Sequence, residues 1–360
     1  MGMTTRYWRD AASLILLSNY SKMSKYQYNY EVLTGIRSAK SSFMPKALVY
    51  PGGTISTKDD LNHLWMDTLS TFWKEDPSSV IIDPSTADRP FLISNVECSS
   101  HLHRDIGFRL TALRETFEET GVLLFKSLHS QPLDVSSFTD WRIKIKENPG
   151  LFMKMCHEME IAPDIWSLYE WSSWLTPLGL KAKGGRRFDT IFYMAFTDKE
   201  SHSHVKGDEN EIFSVEWSSP DSILFDREEK EYYVGPPQLW ETAKLLNFRT
   251  LTSLQEFCLK RSKRGCRSLF PVLARLPKEQ GYFSFLPGDD YYPEEVNPRQ
   301  PEEEYEIYDV DEDYKEVMRY TRCRNRIYMS LDRQFSLPFS NVKDPHGHVK
   351  PVEYMDFMIK

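Results

Sequence analysis

Apolar residues come first in short unbroken runs and later at helical spacing, and that change of pattern sets the predicted fold. Ala11 to Leu17 is almost wholly apolar and has the length of a buried strand. Tyr30 to Ile36 and Lys46 to Tyr50 read as two more strands, each bounded by Gly, Pro or Ser. Leu61, Leu64, Leu69 and Trp73 then share one side of a predicted helix over 61–73, with acids on the other side. Pro77, Pro84 and Pro90 break up the stretch that follows, which reads as loop. Helical spacing returns from Phe108 to Thr120, with Leu110, Leu113 and Phe117 on the core side. Trp141 to Cys156 and Pro163 to Trp174 read as helix-rich, and Thr190 to Phe196 and Phe213 to Trp217 as strands. Pro236-Pro237 opens a helix over Gln238–Leu246, a second spans Leu251–Leu259, and Arg326 to Asp332 reads as a late strand. Strands alternating with helices predict an α/β sandwich around a mixed sheet.

The polar face of the 108–120 helix changes this picture from fold to chemistry. Glu115, Glu118 and Glu119 stand at i, i+3 and i+4, opposite the apolar stripe. Carboxylates at that spacing repel by ~0.2–0.5 kcal/mol in an isolated helix, a penalty that a bound divalent cation removes. The same residues also fit an acidic, solvated helix face with an internal Arg–Glu pair. Two neighbours favour a site. Gly121 falls where a helix C-terminus takes a left-handed residue. Pro51-Gly52-Gly53 is a turn that lets backbone approach a ligand closely.

In order, Arg114-Glu115-Thr116-Phe117-Glu118-Glu119-Thr120-Gly121-Val122 resembles the second half of the Nudix hydrolase box, G-x5-E-x7-R-E-U-x-E-E-x-G-U, where U is bulky and aliphatic. Thr116 stands at the first U. At regular spacing the first half is missing, because Ile106 occupies the glutamate position and Ser100 the glycine position. A box starting at Gly53 puts Asp59 at the first glutamate. Arg114 then follows the glycine by sixty-one residues instead of fourteen, which implies an insertion of 47 residues. A box split in this way resembles the peroxisomal coenzyme A diphosphatase branch of the family. Leu33-Thr34-Gly35-Ile36-Arg37-Ser38, Phe43-Met44-Pro45 and Tyr50-Pro51-Gly52-Gly53 are similar to the signature L-L-T-x-R-S…G-x-x-x-F-P-G-G of CoA-directed members. Trp171-Ser172-Ser173-Trp174-Leu175-Thr176-Pro177 and Arg186-Arg187-Phe188-Asp189-Thr190 look like later landmarks. The sequence departs from that signature at Lys46, which stands at its internal glycine, at Tyr50, and at the extra residue between Thr34 and Arg37.

The resemblance, over roughly residues 8–290, implies a Nudix α/β/α sandwich over 8–250, with 54–106 as an insertion inside the box. A helical, acidic C-terminal extension, 251–360, is expected to pack on it. It also implies that Glu115, Glu118 and Glu119 hold Mg²⁺ or Mn²⁺, that Gly53 lends a carbonyl, and that Arg114 orients one of the glutamates. Which acid serves as general base is left open, and Glu211 is a candidate outer acid. Metal bridging would neutralise a diphosphate and acidify a water. The implied reaction is cleavage of CoA or acyl-CoA to 3′,5′-ADP and (acyl-)4′-phosphopantetheine. Alternatives are another nucleoside diphosphate derivative (ADP-ribose, a dinucleotide or capped RNA) or a non-catalytic Nudix-like binding protein.

Arg37, Lys40 and Lys46 lie near the turn of Gly52 and Gly53 in sequence and are candidate phosphate contacts. Arg186 and Arg187 are a candidate second basic site, or structural residues near Asp189. His101 and His103 have no third ligand at useful spacing and read as surface residues. A net charge of −8 argues against nucleic acid or an anionic membrane as partner. An aromatic share of 14 % suits a packed core or a planar ligand. Five dispersed cysteines without a C-x-x-C pair argue against zinc or a disulfide framework and for a reducing compartment. No apolar run approaches the ~18 residues of a membrane span. The start lacks a secretory pattern, and Arg6 breaks a myristoylation signal. The resemblance points to the peroxisome, but Met358-Ile359-Lys360 is not an S-K-L address, so cytoplasm and mitochondrion stay open. The acidic stretch 288–316 reads as a solvated loop or linker.

Overall fold

The computed structural model describes residues 8–20, 22–41, 44–72, 75–94, 102–128, 136–177, 187–198, 207, 212–226, 232–277, 280–297, 307–331 and 336–353. The strands up to the second helical layer are β1 (Arg9–Asn19), β2 (Tyr30–Arg37), β3 (Ala47–Val49), β4 (Gly52–Thr54), β5 (Phe125–Ser127), β6 (Ile161–Pro163), β7 (Tyr169–Leu175), β8 (Phe188–Thr197), β9 (Ile212–Ser218), β10 (Tyr233–Val234) and β11 (Ser268–Leu269). β5 and β6 pair with each other. The others form one nine-stranded mixed sheet, ordered β10-β3-β2-β1-β8-β7-β11, with β4 paired to β1 and β9 to β2.

β1 shows why the sheet sits at the centre. It is buried from Asp10 to Ser18, pairs in parallel with β8 from Arg9↔Phe188 to Ser18↔Thr197, and meets β2 antiparallel at Leu17↔Val32. Ala12, Leu14 and Leu16 face one core and Ile15 and Leu17 the other, as period-two geometry requires. Among the described residues, eight helices matter for these two faces: α1 (Trp65–Phe72), α2 (Phe91–Ser94), α3 (Arg104–Thr120), α4 (Ser136–Glu147), α5 (Leu151–Glu158), α6 (Pro220–Phe225), α7 (Pro236–Leu245) and α8 (Leu251–Arg261). α3 covers the first face with Phe108, Leu110, Leu113 and Phe117. α7 and α8 cover the second with Leu239, Trp240, Leu254 and Cys258. The result is an α/β/α sandwich. Among the described residues no helix is long and apolar enough to cross a membrane.

Three segments depart from the sequence expectation. Pro163–Trp174 is not helical: one turn of 3-10 helix at Ile165–Ser167 leads into β7. The register shifts between Glu170 and Ser172, so Trp171 bulges and joins Trp174 on the same face. That places tryptophans three apart on one side, which imitates helical spacing. Second, the helix expected over 61–73 is only α1. Leu61 and Leu69 are buried, Leu64 is half-exposed, and Trp73 lies outside the described residues. Third, the C-terminal region is largely a sheet. β12 (Val272–Arg275), β13 (Tyr282–Phe285), β14 (Tyr308–Asp309), β15 (Asn325–Met329) and β16 (Ser336–Ser340) are ordered β14-β12-β13-β15-β16, with α9 (Tyr314–Tyr320) packed beside them. The acidic stretch is partly interior. Asp289 is buried and takes a two-pronged bond at 2.7 Å from Arg326, whose guanidinium lies against Phe283, Phe285 and Tyr291.

The described residues of the 54–106 segment are bound into the first core rather than hung outside it. Trp65 and Leu69 belong to that core, and the Leu102 amide donates to Leu61 O at 2.9 Å where the chain leaves and returns. Arg89 anchors the far end. It forks onto Glu170 of β7 at 2.7 Å and pairs with Asp105 in the first turn of α3, and all three side chains are buried. Arg89→Ala takes its guanidinium from the buried Glu170 and leaves Asp105 with Arg109 at 3.8 Å, which is expected to cost ~3–5 kcal/mol. A urea-unfolding midpoint equal to that of the unsubstituted chain would show that this fork does not secure the insertion.

Candidate active site

α3 begins and ends on local signals. The His103 side chain accepts from the Asp105 amide as N-cap, and Gly121 closes the helix at φ +79 with its amide on Phe117 O at 2.8 Å. The last two turns carry the box residues. Arg114 is almost fully buried and all five of its N–H groups are used. Nε and Nη2 grip Asp60 at 2.9 and 2.8 Å, and Nη2 also donates to Thr54 O at 3.2 Å. Nη1 donates to both Glu115 and Glu118 at 2.8 Å. Asp60 is itself fixed by the Ser56 amide and the Thr111 hydroxyl.

The acid facing Arg114 is therefore Asp60, not Asp59. Asp59 accepts from the Ser56 hydroxyl at 2.6 Å. The amides of both Asp59 and Asp60 turn back onto Ser56 O, and this turn sets which of two adjacent aspartates points inward. Counting positions could not separate them.

The glycine turn lies directly on the helix. β4 pairs with β1 at Ala12↔Gly53 and Ser13↔Gly52, and the Ser13 hydroxyl holds Pro51 O at 2.9 Å. A Cβ on Gly52 would stand 2.6 Å from the Ser13 Cα, and one on Gly53 would overlap the Glu115 carboxylate. Backbone contact excludes any side chain at Gly52, and a side chain at Gly53 would displace the Glu115 carboxylate. The Gly52 amide donates to Glu119 Oε2 at 2.9 Å. Gly52, Gly53, Arg114, Glu115, Glu118 and Glu119, separated by the insertion in sequence, thus meet in one place.

Asp60, Glu115 and Glu118 crowd around the Arg114 guanidinium, and Glu119 lies on the Gly52 amide beside them. Burial pushes the Glu115 carboxyl up to about 7 against the opposing pull of Arg114, and the Glu118 charge adds to the rise. Burial also raises Glu118, against Arg114. An all-oxygen donor set with more negative charge than its arginine neutralises fits a hard divalent cation. Among the described residues no three of these acids already converge as a cage. Glu115 and Glu118 turn to Arg114, and Glu119 turns to Gly52.

The other candidates lie apart. Arg37 ends β2 at a register irregularity, with Nε 3.4 Å from the Ser41 hydroxyl. Lys46 is exposed at φ +57, a left-handed position that explains the glycine of the family signature. Both stand at the far end of the β2–β3 pair, with up to ~20 Å of chain between Lys46 and Gly52. Lys40 is exposed. Arg187 takes the structural alternative. It is buried, donates to Thr176 O at 3.2 and 3.1 Å, and its guanidinium lies 5.8 Å from the rings of Trp8 and Phe270. Arg186, Glu211 and His101 lie outside the described residues. One residue without any linear signal joins the site: Arg142 of α4 donates to the backbone carbonyls of Glu118 and Glu119 at 2.8 and 2.6 Å.

Comparison with known proteins shows the family. A family profile described as the NUDT19 Nudix domain matches residues 8–245. The acyl-coenzyme A diphosphatase NUDT19 of Gallus gallus is 32 % identical over 372 aligned residues, covering 98 % of this chain and 97 % of that protein. Its namesake in Xenopus laevis is 31 % identical with the same coverage, and that of Homo sapiens 30 % identical over 80 % of this chain and 81 % of that protein. A NUDIX hydrolase structure from Alicyclobacillus acidocaldarius superposes with a TM-score of 0.47 at 18 % identity, over 71 % of this chain and 97 % of that one. The chain belongs to the Nudix hydrolases, in the family defined by the NUDT19 Nudix domain.

Proposed function

We propose that this hydrolase is a Mg²⁺- or Mn²⁺-dependent pyrophosphohydrolase that cleaves CoA and acyl-CoA. The observation that carries this is the seating of the Gly52-Gly53 turn on Glu115 and Glu119 of the α3 helix, which reassembles a box interrupted in sequence. Support for the substrate comes from the acyl-coenzyme A diphosphatases that match it over nearly their whole length.

Water adds to one phosphorus of the diphosphate, the bridging P–O bond breaks, and the leaving phosphate keeps the electron pair. The products are 3′,5′-ADP and 4′-phosphopantetheine, or its acyl form. Glu115, Glu118 and Glu119, with the Gly53 carbonyl, would hold the cation, which when bound neutralises diphosphate oxygens and acidifies water. Arg114 holds Glu115 and Glu118 on one side of the helix, and Asp60 holds Arg114. The Gly52 amide orients Glu119. The bare glycine backbone leaves room for phosphate to approach. Arg37 would read the 3′-phosphate of the adenosine.

The direct test is chromatographic product analysis with Mg²⁺ and, in parallel, CoA, ADP-ribose, a dinucleotide and capped RNA. Release of 3′,5′-ADP from CoA at the highest kcat/KM is expected, and a better substrate among the other three would replace this reading. Glu118→Gln and Glu119→Gln are each expected to lower turnover by orders of magnitude without unfolding the chain. Near-normal turnover of both at saturating Mg²⁺ would remove the metal-site assignment. Arg37→Ala is expected to lower kcat/KM for CoA roughly ten- to a hundredfold, the worth of a charge-assisted phosphate contact, and to spare dephospho-CoA. Equal losses on the two substrates would show that Arg37 does not read the 3′-phosphate.

A further inference from the structure

We infer that Arg142 is a positioning residue for the cation-binding face of α3: it clamps the backbone under Glu118 and Glu119 and so sets where their carboxylates point. The inference rests on the metal-dependent reading above and adds to it a part that the Nudix box does not contain.

The last four carbonyls of a helix lack partners within the helix. In α3 these begin at Phe117, whose carbonyl takes the Gly121 amide at 2.8 Å. The next two belong to Glu118 and Glu119, which carry two of the three box carboxylates. Arg142 Nε donates to Glu118 O at 2.8 Å and Nη2 to Glu119 O at 2.6 Å. A planar guanidinium spans two successive carbonyls with one rigid fork, and an ammonium cannot copy that geometry. Its charge also opposes the negative end of the helix dipole. The third guanidinium nitrogen, Nη1, would lie 3.5 Å from a Cβ on Gly121, so the group lies across the end of the helix beside the cap. The clamp comes from a separate helix, α4, which packs on Phe117 through Phe138 at a centroid distance of 6.0 Å.

The direction of a helical side chain follows its own backbone. Glu119 reaches the Gly52 amide and Glu118 reaches Arg114 only while the last turn keeps its shape. Helix ends fray where their carbonyls have no partner. Removing Arg142 frees two of them directly beneath the carboxylates. The expected consequence is a weaker cation site with an unchanged organic substrate site, since Arg37 and Lys46 stand at the far end of β2 and β3.

The test compares the unsubstituted chain with Arg142→Ala and Arg142→Lys by Mn²⁺ titration followed by electron paramagnetic resonance, in the absence of substrate, together with circular dichroism. Removing a group that supports a metal ligand typically weakens affinity about 10- to 100-fold, and that loss is expected for Arg142→Ala. Arg142→Lys, able to keep one of the two bonds, is expected to fall between. In the CoA assay the Mg²⁺ concentration for half-maximal activity should rise in parallel, while KM for CoA at saturating Mg²⁺ stays within about twofold, as for loss at a support rather than a contact. Unchanged Mn²⁺ affinity in folded Arg142→Ala would overturn the inference. If the alanine variant does not fold, unchanged affinity in Arg142→Lys overturns it equally. A chain that binds Mn²⁺ but cleaves none of the diphosphates tested would sink the proposed function and leave the Arg142 comparison valid. A chain that binds no Mn²⁺ would sink both.

Discussion

One buried guanidinium holds the two parts of this site together. Arg114 grips Asp60, near the start of the 54–106 segment, and Glu115 and Glu118 beyond its end, with no N–H left over. Buried ion pairs often add little net stability, because desolvation offsets the attraction, but breaking one partner is costly. Here the gain is registry. The fork fits only if Asp60 stands beside Arg114, Glu115 and Glu118 of α3. That is also the condition for Gly53 to rest on Glu115. A long segment between the two halves is tolerable because the entropy of closing a loop rises slowly with its length. Its ends are already pinned at Leu61 and Leu102.

The site then works as a balance of charge. Three carboxylates, Asp60, Glu115 and Glu118, face one arginine, and burial raises the Glu115 carboxyl to about 7 against the pull of that arginine. Two further cations stand close: Arg142 donates to the backbone carbonyls of Glu118 and Glu119, and the Lys146 charge adds a small opposing pull on the Glu118 carboxyl. The negative charge stays directed toward the Gly52-Gly53 turn, where backbone without side chains leaves space. A cation with a diphosphate attached is the kind of ligand this combination favours. An acidic patch built only for solubility would have no reason to be buried.

The sequence was readable where periodicity and burial coincide. β1, β2 and α3 are strongly patterned, and the box residues sit within α3, so their shared face followed from helical geometry alone. The reading broke down where local chemistry overrides period. The bulge at Trp171 put two tryptophans on one side of β7, and both indoles donate to the buried Glu241 at 2.7 Å. In the C-terminal sheet the strand read from Arg326 is present as β15, with Arg326 held inward by Asp289, whereas β12, β13, β14 and β16 are only two to five residues long and escape the sequence reading. Asp59 and Asp60 differ only in a turn at Ser56. Arg142 acts through backbone carbonyls of a distant segment, which no linear motif encodes.

The family profile ends at residue 245, yet the second face of the sandwich does not. Leu251, Leu254 and Cys258 of α8 join its core, as do Leu286 and Ile327 from the C-terminal sheet, with Val349 and Val352 packed against it. The last described segment is bonded along α7: the Val352 amide donates to Ala243 O at 3.0 Å, and Asn247 donates to Lys350 O at 2.8 Å. On the same helix Thr242 meets the Tyr50 hydroxyl at 2.6 Å, one residue before Pro51 and the glycine turn. α7 thus touches the C-terminal segment and the strand end that delivers Gly52 and Gly53 to the acidic helix. Residues beyond 245 complete the layer that backs the sheet, and the sheet in turn holds the turn against the carboxylates.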